Sequence, residues 1–125
     1  MTERLRASVA SPLHVDRKVT ARFVGLLLAS PMGWVRVVDG VDGPSGFLAA
    51  SIGSASISML PIAAEHGWWA EQGGGLDLLR AYIAWARKAQ CFAVRMSTPP
   101  NNARAAQILD RCGFALAEQA WVKVL

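Results

Sequence analysis

The sequence has only two cysteines, Cys91 and Cys112, among its 125 residues. Two cysteines make neither a disulfide framework nor a metal-ligand spacing, which indicates a reducing compartment and predicts two buried thiols. The longest strongly apolar run, Phe23 to Ala29, is far shorter than the ~20 residues that span a bilayer. The charged start, Met1 to Arg6, has no apolar stretch of signal-peptide length behind it. These absences predict a cytoplasmic protein with no membrane segment and no metal site.

Charged residues are also scarce, at 18% of the chain, against about a quarter in an ordinary globular protein. Thirteen lysines and arginines outnumber nine aspartates and glutamates, and these charges are scattered along the chain. A nucleic-acid-binding protein would cluster its basic residues on one face, so no nucleic-acid partner is expected. The 53% hydrophobic fraction excludes a mainly disordered chain, and the length predicts a single domain over 1–125. The modest excess of cations suits an anionic small molecule.

The apolar pattern predicts a helix and then three antiparallel strands in the first half of the chain. Val19, Phe23 and Leu26 recur at helical spacing until Ser30-Pro31 stops the pattern. Two extended segments then flank a turn rich in Gly and Asp, which predicts a β-hairpin with a loop longer than two residues. The predicted elements are a short strand or a frayed start (Leu5 to Val9), the helix (Val15 to Ala29), the hairpin strands (Val35 to Val38 and Gly46 to Ile52) and a third strand (Ser56 to Trp69) bent at Pro61.

The second half alternates helices with strands and shows no internal repeat. Three consecutive glycines open directly onto the apolar face of a helix. A second helix ends at Gly113, where a left-handed C-cap is expected. The predicted elements are a helix from Leu76 to Gln90, a strand from Phe92 to Ser97, a helix from Asn102 to Cys112, and two last strands, Phe114 to Glu118 and Trp121 to Leu125. This order predicts a mixed α+β domain around one sheet.

The glycine triplet Gly73 to Gly75 is the clearest chemical signal in the chain. Successive backbone N–H groups beside a helix N-terminus make a site for an anion such as pyrophosphate, although three glycines can also be a flexible turn. No Gly-Lys-Ser/Thr follows, so the segment is not a P-loop. The strand before it belongs to an antiparallel run, which disfavours a Rossmann site.

The whole arrangement resembles the GNAT family of acyl-CoA-dependent N-acyltransferases over about Val19 to Leu125. The segment Gly73 to Arg80 is similar to the pyrophosphate loop of that family and the helix behind it. Asn102 to Phe114 is similar to its second cofactor element, and Val35 to Leu48 resembles its hairpin. The resemblance implies a mostly antiparallel, twisted sheet flanked by helices and splayed at a cofactor cleft. It also implies transfer of an acetyl group from acetyl-CoA to a primary amine.

The resemblance further implies where acetyl-CoA lies. Its pyrophosphate would bind the N–H groups of Glu71 to Leu76, and its pantetheine would pair with the backbone near Trp68 and Trp69. Arg80 and Arg104 are candidates for phosphate contacts, because a guanidinium matches phosphate geometry. Asn102 either bonds pantetheine or caps its helix. The cofactor-binding set is therefore Trp68, Trp69, Ala70, Glu71, Gln72, Gly73, Gly74, Gly75, Leu76, Arg80, Asn102 and Arg104.

Glu65 is the only carboxylate on the predicted central strand, and it is the candidate catalytic base. A carboxylate that faces the gap between parted strands takes the amine proton, directly or through a water. The alternative is that Glu65 points to solvent from an edge or bulge. Its neighbour His66 faces the opposite side of a regular strand, so only one of the two lines the cleft unless a bulge intervenes. Trp68 and Trp69 likewise fall on opposite faces.

Two side chains depart from the family pattern. Ala70 stands where the family loop has Arg or Gln, and Leu109 stands where many members have the tyrosine that protonates the leaving thiolate. Tyr82, the only tyrosine, is on the core face of another helix. These departures motivate a second hypothesis, a catalytically degenerate domain that acts as a CoA-binding or assembly module. Five tryptophans in so apolar a chain are also consistent with a homodimer.

Overall fold

The computed structural model describes residues 15–71 and 73–125. Within them the chain forms α1 (Arg17–Ala29), β1 (Gly33–Gly40), β2 (Gly43–Ser54), β3 (Pro61–Ala70), α2 (Gly75–Lys88), β4 (Ala93–Arg95) and α3 (Ala103–Arg111). The strands make one sheet in the order β1-β2-β3-β4, antiparallel except that β4 is parallel to β3. The predicted mixed α+β class is confirmed. The predicted first strand, Leu5 to Val9, lies outside the described residues.

Helix α1 ends at Ala29, as the sequence predicts, and begins at Arg17 rather than at Val15. The Asp16 carboxylate accepts hydrogen bonds from the amides of Lys18 and Val19, which satisfies two N–H groups that lack helical partners. The C-cap residue of the helix is Ser30, whose extended backbone is the conformation that the following proline favours. None of the helices in the described part of the chain combines the length and the apolar character that crossing a bilayer requires.

The β1–β2 hairpin is confirmed, but its turn is tighter than expected. Gly40 pairs with Gly43, so only Val41 and Asp42 connect the two strands. Gly43 has a φ of +112°, which an L side chain rarely adopts, and this glycine allows the tight turn. The Gly and Asp residues of the predicted loop mostly belong to the two strands, which they lengthen.

The core lies between the sheet and one face of α2. Leu48 and Ala50 of β2 pack with Leu78, Leu79 and Tyr82 of α2, and all five are buried. Burial of each large apolar side chain contributes about 1.5–3 kcal/mol. The rings of Trp34 and Trp85 stack at 5.7 Å and close one end of this core. Helix α2 is therefore held firmly against β2 and β3, and it fixes the position of the loop before it.

Both cysteines are free thiols, as predicted, but they are half-buried rather than buried. Cys91 lies just after the C-terminal end of α2, and Cys112 is the C-cap residue of α3. Each packs against the edge of the core rather than inside it, because a residue at a helix end retains contact with solvent.

The sheet is smaller at its β4 edge than the sequence suggests. Strand β3 begins at Pro61 rather than Ser56, and β4 has three residues instead of the six from Phe92 to Ser97. The two predicted last strands are absent, since residues 114–125 form no strand. Their alternating apolar residues lack the ladder of backbone bonds that defines a strand, and Trp121 is 89% exposed. Apolar alternation alone does not make a strand without a paired edge.

Candidate active site

The strands β3 and β4 separate in the middle of the sheet. They pair only from Ile62–Ala93 to Ala64–Arg95, whereas β3 continues to Ala70. The predicted splay is therefore present, and it begins at Glu65. Helix α3 borders two cavities at this gap. The Glu65 cavity, of about 640 Å³, contains Glu65 and Ser97, and the loop cavity, of about 620 Å³, contains the glycines before α2.

A β-bulge in β3 changes the facing of Glu65 and His66. Ala50 pairs with Glu65 while its neighbour Ala49 pairs with Gly67, so His66 is the extra residue. Both Glu65 and His66 therefore line the Glu65 cavity, which a regular strand would forbid. The His66 ring is held by a 2.7 Å hydrogen bond between its Nε2 and the Ser51 hydroxyl.

The carboxylate of Glu65 is held at the start of the gap. Its Oε1 accepts hydrogen bonds from the Ser97 amide (3.1 Å) and the Ser97 hydroxyl (2.7 Å). Burial raises the pKa of Glu65 above its ordinary value, while the two Ser97 hydrogen bonds and nearby His66 oppose that rise. Glu65 is therefore a half-buried carboxylate inside a cavity rather than a solvated edge residue, and such perturbed groups are frequent at functional sites.

The described residues that line the Glu65 cavity include Ser97 and Thr98 but no tyrosine. Leu109 lines it, as the resemblance implies, with an aliphatic side chain. Tyr82 is buried, and its hydroxyl donates a 3.0 Å hydrogen bond to the Arg95 carbonyl. Burial raises the Tyr82 pKa above its ordinary range, which makes its hydroxyl a weaker acid. Tyr82 therefore does not replace the proton-donating tyrosine that the resemblance implies at position 109. Arg95 itself pairs with Glu118.

The glycine loop has the backbone geometry of an anion cradle. Gly73 and Gly74 have φ values of +89° and +84°, which favour glycine, and a Cβ on Gly74 would meet Val38 Cγ2 at 3.3 Å. The first bond into α2 runs from the Leu78 amide to the Gly74 carbonyl, at 3.0 Å. The amides of Gly75 and Leu76 precede that bond, and they donate to no backbone carbonyl of the described residues.

The predicted pyrophosphate loop begins later than expected. The Glu71 amide donates a 2.8 Å hydrogen bond to the Ser45 carbonyl, so this amide is engaged within the protein. Gln72 lies outside the described residues. The amides that can face a ligand are therefore those of the glycines and Leu76. The small side chain of Ala70 lines the loop cavity, as does Glu71.

Both tryptophans of β3, which belong to the predicted cofactor-binding set, line the loop cavity. Trp68 also packs against the core, and its Nε1 donates a 3.0 Å hydrogen bond to the Gly75 carbonyl. This bond ties strand β3 to the first turn of α2. Trp68 is therefore a support for the loop as well as a wall of the cavity, a role that the sequence did not indicate.

Helix α3 forms the opposite wall of the loop cavity. Asn102 caps it, since its Oδ1 accepts a 3.0 Å hydrogen bond from the Ala105 amide, and Arg104 lines the cavity as predicted. Arg111 also lines it and was missed, although it stands seven residues after Arg104 and thus on the same helix face. Arg80 does not line the cavity, because it lies on the exposed side of α2, with its Nη1 3.9 Å from Asp77 Oδ1.

The described residues contain no group of three or more His, Cys, Asp or Glu side chains placed to hold a metal ion. The candidate site has two parts. A carboxylate and a histidine occupy one cavity. Backbone amides, an asparagine and two arginines occupy the other.

The fold is similar to that of several solved acetyltransferases. AAC(6')-Iy in complex with a bisubstrate analogue, CoA-S-monomethyl-acetylneamine, matches with a TM-score of 0.73 at 18% identity, over 100% of this chain and 86% of that chain. Glucosamine-6-phosphate N-acetyltransferase from Arabidopsis thaliana matches with a TM-score of 0.71 at 12% identity, over 98% and 86%. A transcriptional regulator from Bacillus halodurans C-125 matches with a TM-score of 0.73 at 15% identity, over 86% and 76%.

No family model and no curated protein sequence matches the chain. The likeness therefore rests on the shape of the backbone, and at 12–18% identity it establishes the fold alone. The antiparallel hairpin, the parted strands β3 and β4, and the glycine loop before α2 all agree with the expectation from the sequence. The chain has the fold of the GNAT acetyltransferases.

Proposed function

We propose that this protein is an N-acetyltransferase that moves an acetyl group from acetyl-CoA to a primary amine. The observation that carries the proposal is the gap between β3 and β4, with a held carboxylate at its start and the glycine loop beyond the end of β3. Glu65 and Ala70 are five residues apart on an extended strand, about 17 Å. This separation suits a long ligand whose reactive end and phosphates bind at opposite ends.

The glycine loop would hold the pyrophosphate of the cofactor. The amides of Gly75 and Leu76 carry partial positive charge at the N-terminus of α2, which favours an anion. The absence of a Cβ at Gly74 keeps the loop close to Val38, and the Trp68 indole holds the first turn in place. Arg104 and Asn102 face the same cavity from α3. The residues present thus fit a phosphate-containing cofactor.

Glu65 would act as the general base. An amine is mostly protonated at neutral pH, and it must lose a proton before its nitrogen attacks the thioester carbonyl. Glu65 would receive the proton that the ammonium group loses before attack. Ser97 holds the carboxylate in position for this transfer. Bound acetyl-CoA would supply the activated acetyl group, the new C–N bond would replace the C–S bond, and the second proton lost by the nitrogen would pass to solvent. Solvent would protonate the leaving thiolate, whose pKa near 8.5 makes a dedicated acid dispensable.

Glu71 reduces the expected affinity for the cofactor. Its carboxylate belongs to the loop cavity, near the site proposed for phosphates, where like charges repel one another. We therefore expect a cofactor affinity that depends on the ionic strength, since salt screens both the repulsion and the attraction by arginines.

Substitution of Glu65 tests the catalytic half of the proposal. Glu65→Gln keeps the size and one acceptor oxygen for Ser97 but removes the basic carboxylate, and it should lower kcat about 100-fold or more. The measurement is release of free CoA thiol with a panel of primary amines. Asp77→Asn, an exposed carboxamide substitution on α2, is the matched control and should keep full activity. Unchanged turnover in Glu65→Gln would remove this residue from the mechanism.

A CoA-binding module without catalysis is the second candidate, and Leu109 in the Glu65 cavity favours it. A thermal-shift titration with acetyl-CoA separates the outcomes, because a ligand at a hundred times its Kd stabilises the folded state by about 2.7 kcal/mol. A shift together with thiol release supports the transferase. A shift without release for any amine supports the module. No shift at millimolar acetyl-CoA contradicts the transferase and favours an assembly module that binds no CoA.

A further inference from the structure

Two arginines of α3 line the loop cavity at one angular position of the helix. Seven residues separate Arg104 from Arg111, a rotation of about 700°, which is within about 20° of two full turns. The rise between them is about 10.5 Å along the helix axis. Both are exposed and both border the loop cavity. The pair therefore presents a stripe of positive charge on the wall opposite the glycine loop.

These two arginines are not engaged elsewhere in the described part of the chain. Arg80 and Arg95 each have a carboxylate partner, whereas no ion pair joins Arg104 or Arg111 to a described residue. Asp110, which lies between them in sequence, lines the Glu65 cavity on the other side of the helix. Their guanidinium groups therefore remain available to an anion in the loop cavity.

The glycine loop and the arginines suit two different kinds of phosphate. Backbone amides and a helix N-terminus offer partial charges at fixed positions, which match the shared charge of a pyrophosphate. A phosphomonoester has a charge of about −1.5 to −2 on one group at neutral pH, and the forked guanidinium binds it through two hydrogen bonds. CoA contains one phosphate of each kind, since its 3′-phosphomonoester stands apart from its pyrophosphate.

We propose that Arg104 and Arg111 form a second phosphate site, which binds the 3′-phosphomonoester of CoA and distinguishes CoA from dephospho-CoA. This inference rests on the proposed function, because it assigns a part of the same ligand. The loop amides bind the pyrophosphate that both molecules share. The arginines bind only the group by which the two molecules differ.

Isothermal titration calorimetry of the full chain with CoA and with dephospho-CoA tests the assignment. Wild-type protein should bind CoA at least tenfold more tightly than dephospho-CoA, the size expected for loss of charge-assisted hydrogen bonds. The double variant Arg104→Ala/Arg111→Ala should bind the two ligands within threefold of each other, because it should lose more affinity for CoA than for dephospho-CoA. Arg87→Ala, an exposed arginine of α2 outside both cavities, should retain the wild-type ratio.

The possible results distinguish failure of the second phosphate site from failure of the proposed function. Equal affinity of the wild type for both ligands, or full discrimination in the double variant, overturns the second phosphate site while CoA binding itself stands. Failure of the wild type to bind either ligand overturns the proposed function. Should the alanine variant fail to fold, Arg104→Lys/Arg111→Lys supplies the test, because it keeps the charge but loses the fork and should lower the ratio without abolishing it.

Discussion

The Glu65 cavity and the loop cavity lie beside the same helix, but they are built from different parts of the chain. In the Glu65 cavity the chemistry belongs to side chains, with the carboxylate fixed by Ser97 and the histidine by Ser51. In the loop cavity it belongs mainly to backbone amides, fixed by glycines with positive φ. A backbone site tolerates most side-chain changes but not the loss of a glycine. A side-chain site can lose its activity through one substitution that leaves the fold intact.

The largest effect on the backbone site is expected from Gly74→Ala. A left-handed φ costs a non-glycine residue about 1–2 kcal/mol, and here the new Cβ also meets Val38 Cγ2 at 3.3 Å. Gly73→Ala is the matched control, since its φ is similar but no atom lies within 4 Å of its Cβ. Urea unfolding and CoA titration should show greater losses for Gly74→Ala.

A double variant separates the crowding at this position from the strained φ. Val38→Ala in the Gly74→Ala background removes the contacting methyl groups, and it should bring the loss of CoA affinity close to that of Gly73→Ala. Equal losses for the two single variants would mean that the contact with Val38 does not position the loop.

A smaller effect is expected from Trp68→Phe, which keeps the aromatic wall but removes the indole N–H. The bond from Trp68 to the Gly75 carbonyl is then lost, at a cost of about 0.5–1.5 kcal/mol of stability. CoA affinity should fall several-fold because the first turn of α2 becomes less fixed. Trp69→Phe, also in the loop cavity, is the control and should change the stability less. A loss of stability without loss of affinity would show that Trp68 supports the fold alone.

The sequence predicted the backbone site better than the side-chain site. Three glycines, a helix and a preceding strand are local features, so the position of the loop could be inferred from neighbouring residues. The hydrogen bond between Glu65 and Ser97 joins residues 32 positions apart, and no local sequence pattern indicates it. The bulge at His66 is also invisible in the sequence, because it arises from the pairing with β2.

The C-terminal segment shows the limit of pattern-based prediction most directly. Residues 114–125 alternate apolar and polar positions in part, but a strand requires an edge to pair with as well as suitable residues. Strand β4 ends at Arg95, after which Ser97 bonds to Glu65 instead of extending the ladder. Arg111 was missed for a different reason. Its spacing from Arg104 is visible in the sequence, but the loop cavity that both residues line is not.

The smallest expected effect is a shift in pH dependence when Ser97 loses its hydroxyl. Burial already raises the Glu65 pKa, and the Ser97 hydroxyl opposes that rise, so Ser97→Ala should raise the pKa further. The base is active when deprotonated, and the acid limb of the kcat/KM profile should therefore move to higher pH while the plateau is retained. Thr98→Val, in the same cavity but without a hydrogen bond to Glu65 among the described contacts, is the control.

The pH dependence of the free energy of unfolding should also reflect the raised pKa of Glu65. Because the folded-state pKa of Glu65 is raised above its unfolded value, the protonated form is favoured by folding, and that stabilisation is fully present below the unfolded pKa. It is lost as the pH rises through the folded pKa. Ser97→Ala extends the loss to higher pH, and Glu65→Gln removes this pH dependence, both measurable as Tm against pH. A kinetic limb that moves to lower pH in Ser97→Ala would contradict the assignment of Glu65 as the base, whatever happens to Tm.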